Sequence, residues 1–217
     1  MKFEFFAPTR IIFGAGAMSS SLLEISKMGS RALLVTGSRP ERFESIIKTL
    51  SDCGMSVHVF SLGKEPDIQT VCEARALAKR TACELVISVG GGSAIDTGKA
   101  VSALVTNDGE ITDYLEVVGK GLPITNRPVP FVAVPTTAGT GAEVTRNAVI
   151  GVPERRVKVS MRSPLMIPSL AVIDPLLGLS VSPQVTAAVG LDALTQLIEP
   201  YVSNQANFIT DTLCKEG

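Results

Sequence analysis

Residues 90–99, with the sequence GGGSAIDTGK, combine residue types and a spacing that suit the binding of an anion. The run before them, residues 84–89 (ELVISV), is apolar and rich in β-branched residues, which predicts a buried parallel strand. After them, apolar residues recur at helical spacing to about residue 106. Glycines at such a strand-to-helix turn expose the main chain to a ligand, and the N–H groups and dipole of the first helical turn favour a group such as a pyrophosphate. The alternative is a plain tight turn with Ser93 as the helix N-cap.

A second turn, residues 135–145 (PTTAGTGAEVT), follows the apolar run at 130–134. Its threonines stand beside glycines, so their hydroxyls can donate and accept hydrogen bonds without blocking the approach of a ligand. The alternative is a threonine-rich turn that caps the next helix. A third glycine-rich stretch, residues 14–17, lacks the last glycine of a GxGxxG pattern because Ser19 stands there, and we interpret it as a turn.

The elements that position these turns alternate between strands and helices. Strands are predicted at 10–13, 31–36, 56–62, 84–89, 130–134 and 170–175, with a hairpin at 148–151 and 157–160. Helices are predicted at about 17–27, 41–53, 68–82, 93–106 and 110–115, and from 183 to at least 199. This order predicts an α/β fold with a doubly wound parallel sheet. Ligands of such sheets bind at the carboxyl ends of the strands, where the turns at Gly37 and Gly90 lie.

Composition narrows the classes of function. Hydrophobic residues make up 45% of the 217 residues, as a sheet covered on both faces requires, and the net charge of −1 argues against nucleic acid as the main partner. No apolar run is long enough for a membrane span, and residues 1–8 lack the layout of a signal peptide. The four cysteines are scattered, which favours free buried thiols in a reducing cytoplasm. The single histidine, His58, is expected to be packed or capping rather than a metal ligand.

Residues 90–99, 135–145 and 190–203 (GLDALTQLIEPYVS) together resemble the signatures of the iron-containing (group III) alcohol dehydrogenases. The segments FGAGA at 13–17 and DPLL at 174–177 are also similar to that family's pattern, and the resemblance runs from Pro8 to the last residue. It implies a nicotinamide dinucleotide-binding α/β domain at 1–180 and the start of an all-helical, metal-binding domain at 181–217.

The resemblance also implies residues for the cofactor. Gly91, Gly92 and Ser93 would bind the pyrophosphate. Thr136, Thr137 and Thr140 would lie along the diphosphate, the nicotinamide ribose and the ring. Lys158 falls where the family has a lysine that contacts the cofactor, although a solvated hairpin lysine is the alternative.

Cofactor preference is indicated by the residues that end the strand at 31–36. Members of the family that prefer NAD tend to carry an aspartate there, whereas this chain has Gly37 and Ser38, followed by Arg39 and Arg42. Without the carboxylate a 2′-phosphate is not repelled, and a serine or arginine can bind it. We therefore expect NAD(P) as the cofactor, with a preference for NADP.

The metal site departs from the family's pattern. The family holds a divalent metal, iron or zinc, with one aspartate and three histidines, the first two ligands standing four residues apart on one helix. Here Asp192 is present but Gln196 occupies the second position, and an amide oxygen is a weak ligand for these metals. We expect this chain not to retain the metal. Asp96 and Lys99, three residues apart on a helix, are expected to pair with each other.

The resemblance implies reversible hydride transfer between NAD(P)H and a small alcohol or aldehyde. Because the chain ends at Gly217, the alternative is a truncated or split dinucleotide-binding module without activity of its own, which needs a C-terminal half or forms a homo-oligomer. A member of the glycerol dehydrogenase or dehydroquinate synthase branch is a further alternative, and the segments at 135–140 and 192–195 argue against it.

Overall fold

The computed structural model describes residue 3 and residues 10–217, in which strands and helices alternate. The strands are β1 (Ile11–Phe13), β2 (Arg31–Thr36), β3 (Ser56–Ser61), β4 (Leu85–Gly90), β5 (Phe131–Pro135), β6 (Asn147–Val152), β7 (Val157–Arg162) and β8 (Leu170–Ile173). The helices are α1 (Ala17–Ile25), α2 (Glu44–Asp52), α3 (Ile68–Arg80), α4 (Gly92–Thr106), α5 (Ile111–Tyr114), α6 (Pro183–Val202) and α7 (Phe208–Glu216). The N-terminal stretch on which the expectation of no signal peptide depends lies largely outside the described residues.

Six strands form one parallel sheet in the order β1-β8-β5-β4-β2-β3, which confirms the predicted doubly wound fold. From β2 the chain first goes to β3 on one side and then returns to β4 on the other side. The switch point of the sheet therefore lies between β2 and β4, and their carboxyl ends form a crevice there.

The sheet is buried on both faces because its strands alternate between two cores. Leu33 and Val35 of β2 face one core together with buried residues of α3 and α4. Ala32 and Leu34 face the other core, which contains buried residues of α1 and α2. Both sides of β4 are thus covered, and its six residues are all buried.

The predicted hairpin is present as the antiparallel pair β6 and β7, and it packs against α4 through buried Ala148 and Ile150. The Gly151 N–H donates a 2.8 Å hydrogen bond to the Pro66 carbonyl, which ties the hairpin to the loop before α3. The hairpin therefore forms one wall above the N-terminus of α4.

Helices α6 and α7 carry no buried residue, and α6 continues through Pro200 to Val202, which agrees with the prediction of a helix to at least residue 199. Leucine, isoleucine, tyrosine and phenylalanine side chains on both helices are exposed. No helix in the described part of the chain is long and apolar enough to cross a membrane.

The four cysteines are free, as expected, but the expectation that they are buried is wrong for three of them. Cys83 is buried, Cys72 and Cys214 are partly exposed, and Cys53 is exposed because it follows the C-terminus of α2 at the surface. His58 lies half-buried in β3, with its Nε2 3.3 Å from the Ser56 hydroxyl.

Candidate functional site

The N-terminus of α4 has main-chain N–H groups available for a ligand. Gly91 is its N-cap, not Ser93, and within the described residues no side chain caps this end. The N–H groups of a first helical turn have no acceptor inside the helix, and the helix dipole places positive charge there. An anion is therefore the ligand that this helix end suits best.

The threonine turn faces this helix end across a short distance. A β-carbon on Gly91 would lie 3.4 Å from Thr137 Oγ1, and one on Gly92 would lie 3.2 Å from Thr140 Cγ2. The Thr136 N–H donates a 2.9 Å hydrogen bond to the Gly90 carbonyl, so the ends of β4 and β5 are joined at the start of both turns. The sheet thus brings the two predicted turns together.

A cavity of about 300 Å³ opens between these turns and the β6–β7 hairpin. Its walls come from α4, the threonine turn, the hairpin and the loop before α3. The residues that line it are Glu65, Pro66, Gly92, Ser93, Asp96, Thr140, Ala142, Thr145, Asn147, Val149, Gly151 and Lys158. Gly92, Ser93, Thr140 and Lys158 are therefore brought to one cavity, whereas Gly91, Thr136 and Thr137 stand beside it.

Lys158 lies at the mouth of the cavity and is paired across it. Its Nζ is 2.5 Å from Glu65 Oε2, and both side chains are more than half exposed. Exposed ion pairs are weak, so a ligand anion can compete with Glu65 for this ammonium.

Two acidic side chains near the cavity have raised pKa values. Burial raises the pKa of Asp96 to about 6, although the Lys99 ammonium and the Val149 N–H both act to lower it. Burial also raises the pKa of Glu143, again opposed by Lys99. Of the two, Asp96 lines the cavity, where its carboxyl group can accept a hydrogen bond from a ligand hydroxyl or amide group.

The expected pairing of Lys99 with Asp96 is wrong. The Lys99 ammonium instead donates to three uncharged oxygens, those of Ala142 (2.7 Å), Thr145 (2.9 Å) and Asn147 (2.9 Å). These acceptors lie 43 to 48 residues further along the chain, where helical spacing gives no information about them.

Gly37 and Ser38 lie at the carboxyl end of β2, next to the glycine turn. The Gly37 nitrogen is 3.5 Å from where a β-carbon of Gly90 would stand, and Ser38 is exposed. The Arg42 guanidinium, in contrast, donates to the Ser180 hydroxyl and lies 5.5 Å from the centre of the Phe43 ring. Ser38 and Arg39, which follow Gly37 directly, are both exposed.

The other glycine-rich turn, residues 14–17, is closed by a side chain of the chain itself. Asp174 is buried, and its carboxylate accepts hydrogen bonds from Gly16 N (3.1 Å) and Met18 N (3.2 Å) at the start of α1. This carboxylate takes the position an anion would occupy, so the stretch is a structural turn, as interpreted from its sequence.

The candidate metal ligands lie on α6, where Gln196 faces the threonine turn. Asp192 is exposed, and the Gln196 side chain donates a 2.8 Å hydrogen bond from Nε2 to the Gly139 carbonyl. Within the described residues there is no group of three or more His, Cys, Asp or Glu side chains that could hold a metal ion. These two residues alone do not fit an iron or zinc site, which needs about three protein ligands.

Sequence reasoning missed some residues of the cavity wall. Asp96 lies one helical turn beyond Ser93, so the i, i+3 spacing could have placed both on the same face. Glu65 and Asn147 approach the cavity from other elements, the loop before α3 and the hairpin, which contact each other at Asp67 and Gly151.

Comparison with known proteins places the chain in a family. The sequence model of the iron-containing alcohol dehydrogenases matches residues 8–175. A choline dehydrogenase of Bacillus subtilis (strain 168) is 39% identical over 218 residues, covering 98% of this chain and 54% of that protein. A 1,3-propanediol dehydrogenase of Klebsiella pneumoniae is 36% identical over 223 residues, covering 99% of this chain and 56% of that protein.

Solved structures agree with the sequence comparison. A 1,3-propanediol oxidoreductase superposes with a TM-score of 0.90 at 34% identity, covering 99% of this chain and 56% of that one. A sulfoacetaldehyde reductase from Bifidobacterium kashiwanohense, solved in complex with NAD+, gives a TM-score of 0.88 at 32% identity, covering 99% of this chain and 57% of that one. The chain spans about half the length of the curated relatives it matches. It belongs to the iron-containing alcohol dehydrogenase family.

Proposed function

We propose that this chain binds a nicotinamide dinucleotide at the N-terminus of α4, as part of an oxidoreductase that transfers hydride between NAD(P)H and a small alcohol or aldehyde. One observation carries the proposal. The uncapped end of α4 lies opposite the threonine turn, at a cavity beside the switch point of the sheet. Helix N-termini at switch points are where doubly wound sheets bind dinucleotides.

We propose that each wall of the cavity binds a different part of the dinucleotide. The N–H groups at Gly91, Gly92 and Ser93 bind the pyrophosphate, because they are the donors at the positive end of α4. The hydroxyls of the threonine turn (Thr136, Thr137 and Thr140) bind the diphosphate, the ribose and the nicotinamide end. Lys158 leaves Glu65 to contact the cofactor, since its exposed ion pair is weak.

We further propose that NADP is preferred over NAD. Gly37 has no heavy atom within 4 Å of a built β-carbon, and the glycine itself carries no carboxylate to bind an adenosine ribose or repel a 2′-phosphate. Ser38 and Arg39 supply a hydroxyl and a guanidinium there, both able to bind phosphate.

The candidate metal ligands favour a second candidate function, a dinucleotide-binding module that does not catalyse the reaction alone. In the family the metal polarises the substrate oxygen, which is a Lewis-acid task. Asp192 and Gln196 do not fit a metal site by themselves, because such a site needs about three protein ligands. This favours a dinucleotide-binding module that needs further ligands before it can oxidise an alcohol.

We also propose that one domain ends at residue 180 and a second begins at 181, where the sheet has ended and the exposed helices α6 and α7 follow. The four free thiols support a cytoplasmic location.

An equilibrium titration tests the proposal. The chain contains no tryptophan, so the fluorescence of NADPH and NADH can be followed without an indole background. We expect saturable enhancement with NADPH, weaker binding of NADH, and competition by inorganic pyrophosphate. Absence of binding by both dinucleotides would contradict the assignment.

A further inference from the structure

Lys99 is one of the most deeply buried large side chains in the described part of the chain, with 1% of its surface exposed. Lysine is rarely buried to this extent unless its ammonium is fully hydrogen-bonded. The three hydrogens of this ammonium have one acceptor each: the carbonyls of Ala142 and Asn147 and the hydroxyl of Thr145. The side chain is therefore fixed at its backbone by α4 and at its ammonium by three hydrogen bonds.

The three acceptors share a second property, since each belongs to a residue that lines the cavity. They come from the end of the threonine turn and the start of β6, whereas Lys99 comes from α4, whose first turn forms the opposite wall. The buried Lys99 side chain thus connects the two walls beneath the cavity surface and does not line the cavity itself.

The charge of this ammonium has no direct partner. Its acceptors are uncharged, and the ion pairs found in the described residues do not include Lys99. Asp96 on α4 and Glu143 on the 142–144 turn are the acidic groups that act on it. A buried charge is weakly screened, so it acts on a ligand in the adjoining cavity.

We infer that Lys99 is a positioning residue for dinucleotide binding, which holds residues 142–147 against α4 and gives the cavity a buried positive charge. This inference depends on the proposed function, because the ligand is the dinucleotide assigned above. It adds a residue that touches no cofactor atom but sets the width and the potential of the site.

The titration of Lys99 separates this role from a merely structural one. Burial lowers its pKa to about 8, although Asp96 and Glu143 act to raise it. The positive charge is present below pH 8 and is lost as the pH rises through that value, so affinity for an anionic cofactor should fall over the same range.

Other charged groups around α4 are few. Strands β4, β5 and β6 have none, and Arg75 of α3 binds the far end of α4 at the Leu104 carbonyl. Glu65 and Lys158 face the cavity from its mouth.

The test compares the 217-residue chain with Lys99→Met, using Lys48→Met on the exposed face of α2 as the matched control. Amide hydrogen exchange of residues 139–147 is measured without ligand, and NADPH affinity is measured at pH 7 and pH 9. For Lys99→Met we expect exchange about tenfold faster in this segment and NADPH binding about tenfold weaker at pH 7, with no further fall at pH 9. The control should match the wild type in every measurement.

If Lys99→Met does not fold, Thr145→Val takes its place, because it removes one acceptor and keeps the side-chain shape. It should accelerate exchange in the same segment by a smaller factor. Unchanged exchange or unchanged affinity in the folded variant would overturn the inference and leave the proposed function standing. A wild-type chain that binds no dinucleotide at either pH would overturn both.

Discussion

A β-carbon on Gly92 would stand 3.2 Å from the Thr140 methyl carbon, so a side chain at position 92 requires Thr140 to move by a few tenths of an ångström. The neighbouring Gly91 is different, since its β-carbon would meet Thr137 at 3.4 Å, an ordinary contact distance. A β-carbon at 92 therefore displaces Thr140, whereas one at 91 makes an ordinary contact with Thr137 and occupies space beside the N-terminus of α4. This difference makes Gly91 the better position for a test of binding.

Gly37→Asp should move cofactor preference toward NAD. The position has open space around a built β-carbon, so the new carboxylate is accommodated without a clash. It can accept hydrogen bonds from ribose hydroxyls and repels a 2′-phosphate, and we expect the ratio of NADP to NAD affinities to fall by about tenfold or more. Parallel titrations with both cofactors measure the ratio. Gly37→Asn, of equal size and no charge, is the control, and an equal shift in that variant would contradict the electrostatic explanation.

Asp96→Asn should stabilise the chain at neutral pH. The carboxyl has a pKa of about 6 when folded against 3.8 for an unperturbed aspartate, so the folded state binds the proton more tightly. The contribution of Asp96 to the free energy of unfolding is therefore most favourable below pH 4 and falls as the pH rises to 6. We expect the free energy of unfolding of the variant to exceed that of the wild type by about 1–3 kcal/mol at pH 7 and to equal it at pH 4.

Denaturant unfolding at both pH values measures this difference. Asp52→Asn, on the exposed end of α2, is the matched control and should change stability little at either pH. A lower free energy of unfolding for Asp96→Asn at pH 7 would contradict the prediction, because it would mean that the charged carboxylate stabilises the folded state.

Elemental analysis after dialysis should find no stoichiometric iron or zinc in the 217-residue chain, and no alcohol-dependent reduction of NAD(P)+ should occur. Asp192 offers one good ligand, and the Gln196 amide is engaged with the Gly139 carbonyl. Gln196→His should raise zinc affinity measurably, because an imidazole four residues after a carboxylate lies on the same helix face.

Gln184→His is the control for that measurement, since it adds an imidazole to the exposed start of α6 with Ser180 four residues before it. Retention of stoichiometric metal by the wild type, or turnover with a primary alcohol and added metal, would contradict this prediction.

The sheet and its two turns could be predicted because their signals are local. The run at 84–89 and the glycines after it specify a strand, a turn and a helix within a few residues of one another, and β4 and α4 lie within one residue of the predicted bounds. The hairpin at 147–162 was likewise predictable from two short β-branched runs around Pro153.

The hydrogen bonds that hold the site together could not be predicted, because they join residues that are far apart in the sequence. Lys99 binds residues 43 to 48 positions away, and Gln196 binds Gly139, 57 positions away. The capping of the first glycine-rich turn by Asp174 spans 156 to 158 positions. Helical spacing predicted an Asp96–Lys99 pair instead, because such spacing carries information only about residues that are close in the sequence.

Calorimetric titration of NADPH into the wild type and into Gly91→Val shows whether a dinucleotide binds at the N-terminus of α4. Gly91 has extended backbone angles (φ −75°, ψ −173°) that a β-branched residue also adopts, so the variant should fold. Gly190→Ala, in exposed α6 with open space around it, is the matched control and should gain up to about 1 kcal/mol of stability. We expect the wild type and Gly190→Ala to bind equally and Gly91→Val to bind at least about tenfold more weakly. Equal affinity in a folded Gly91→Val would contradict the claim.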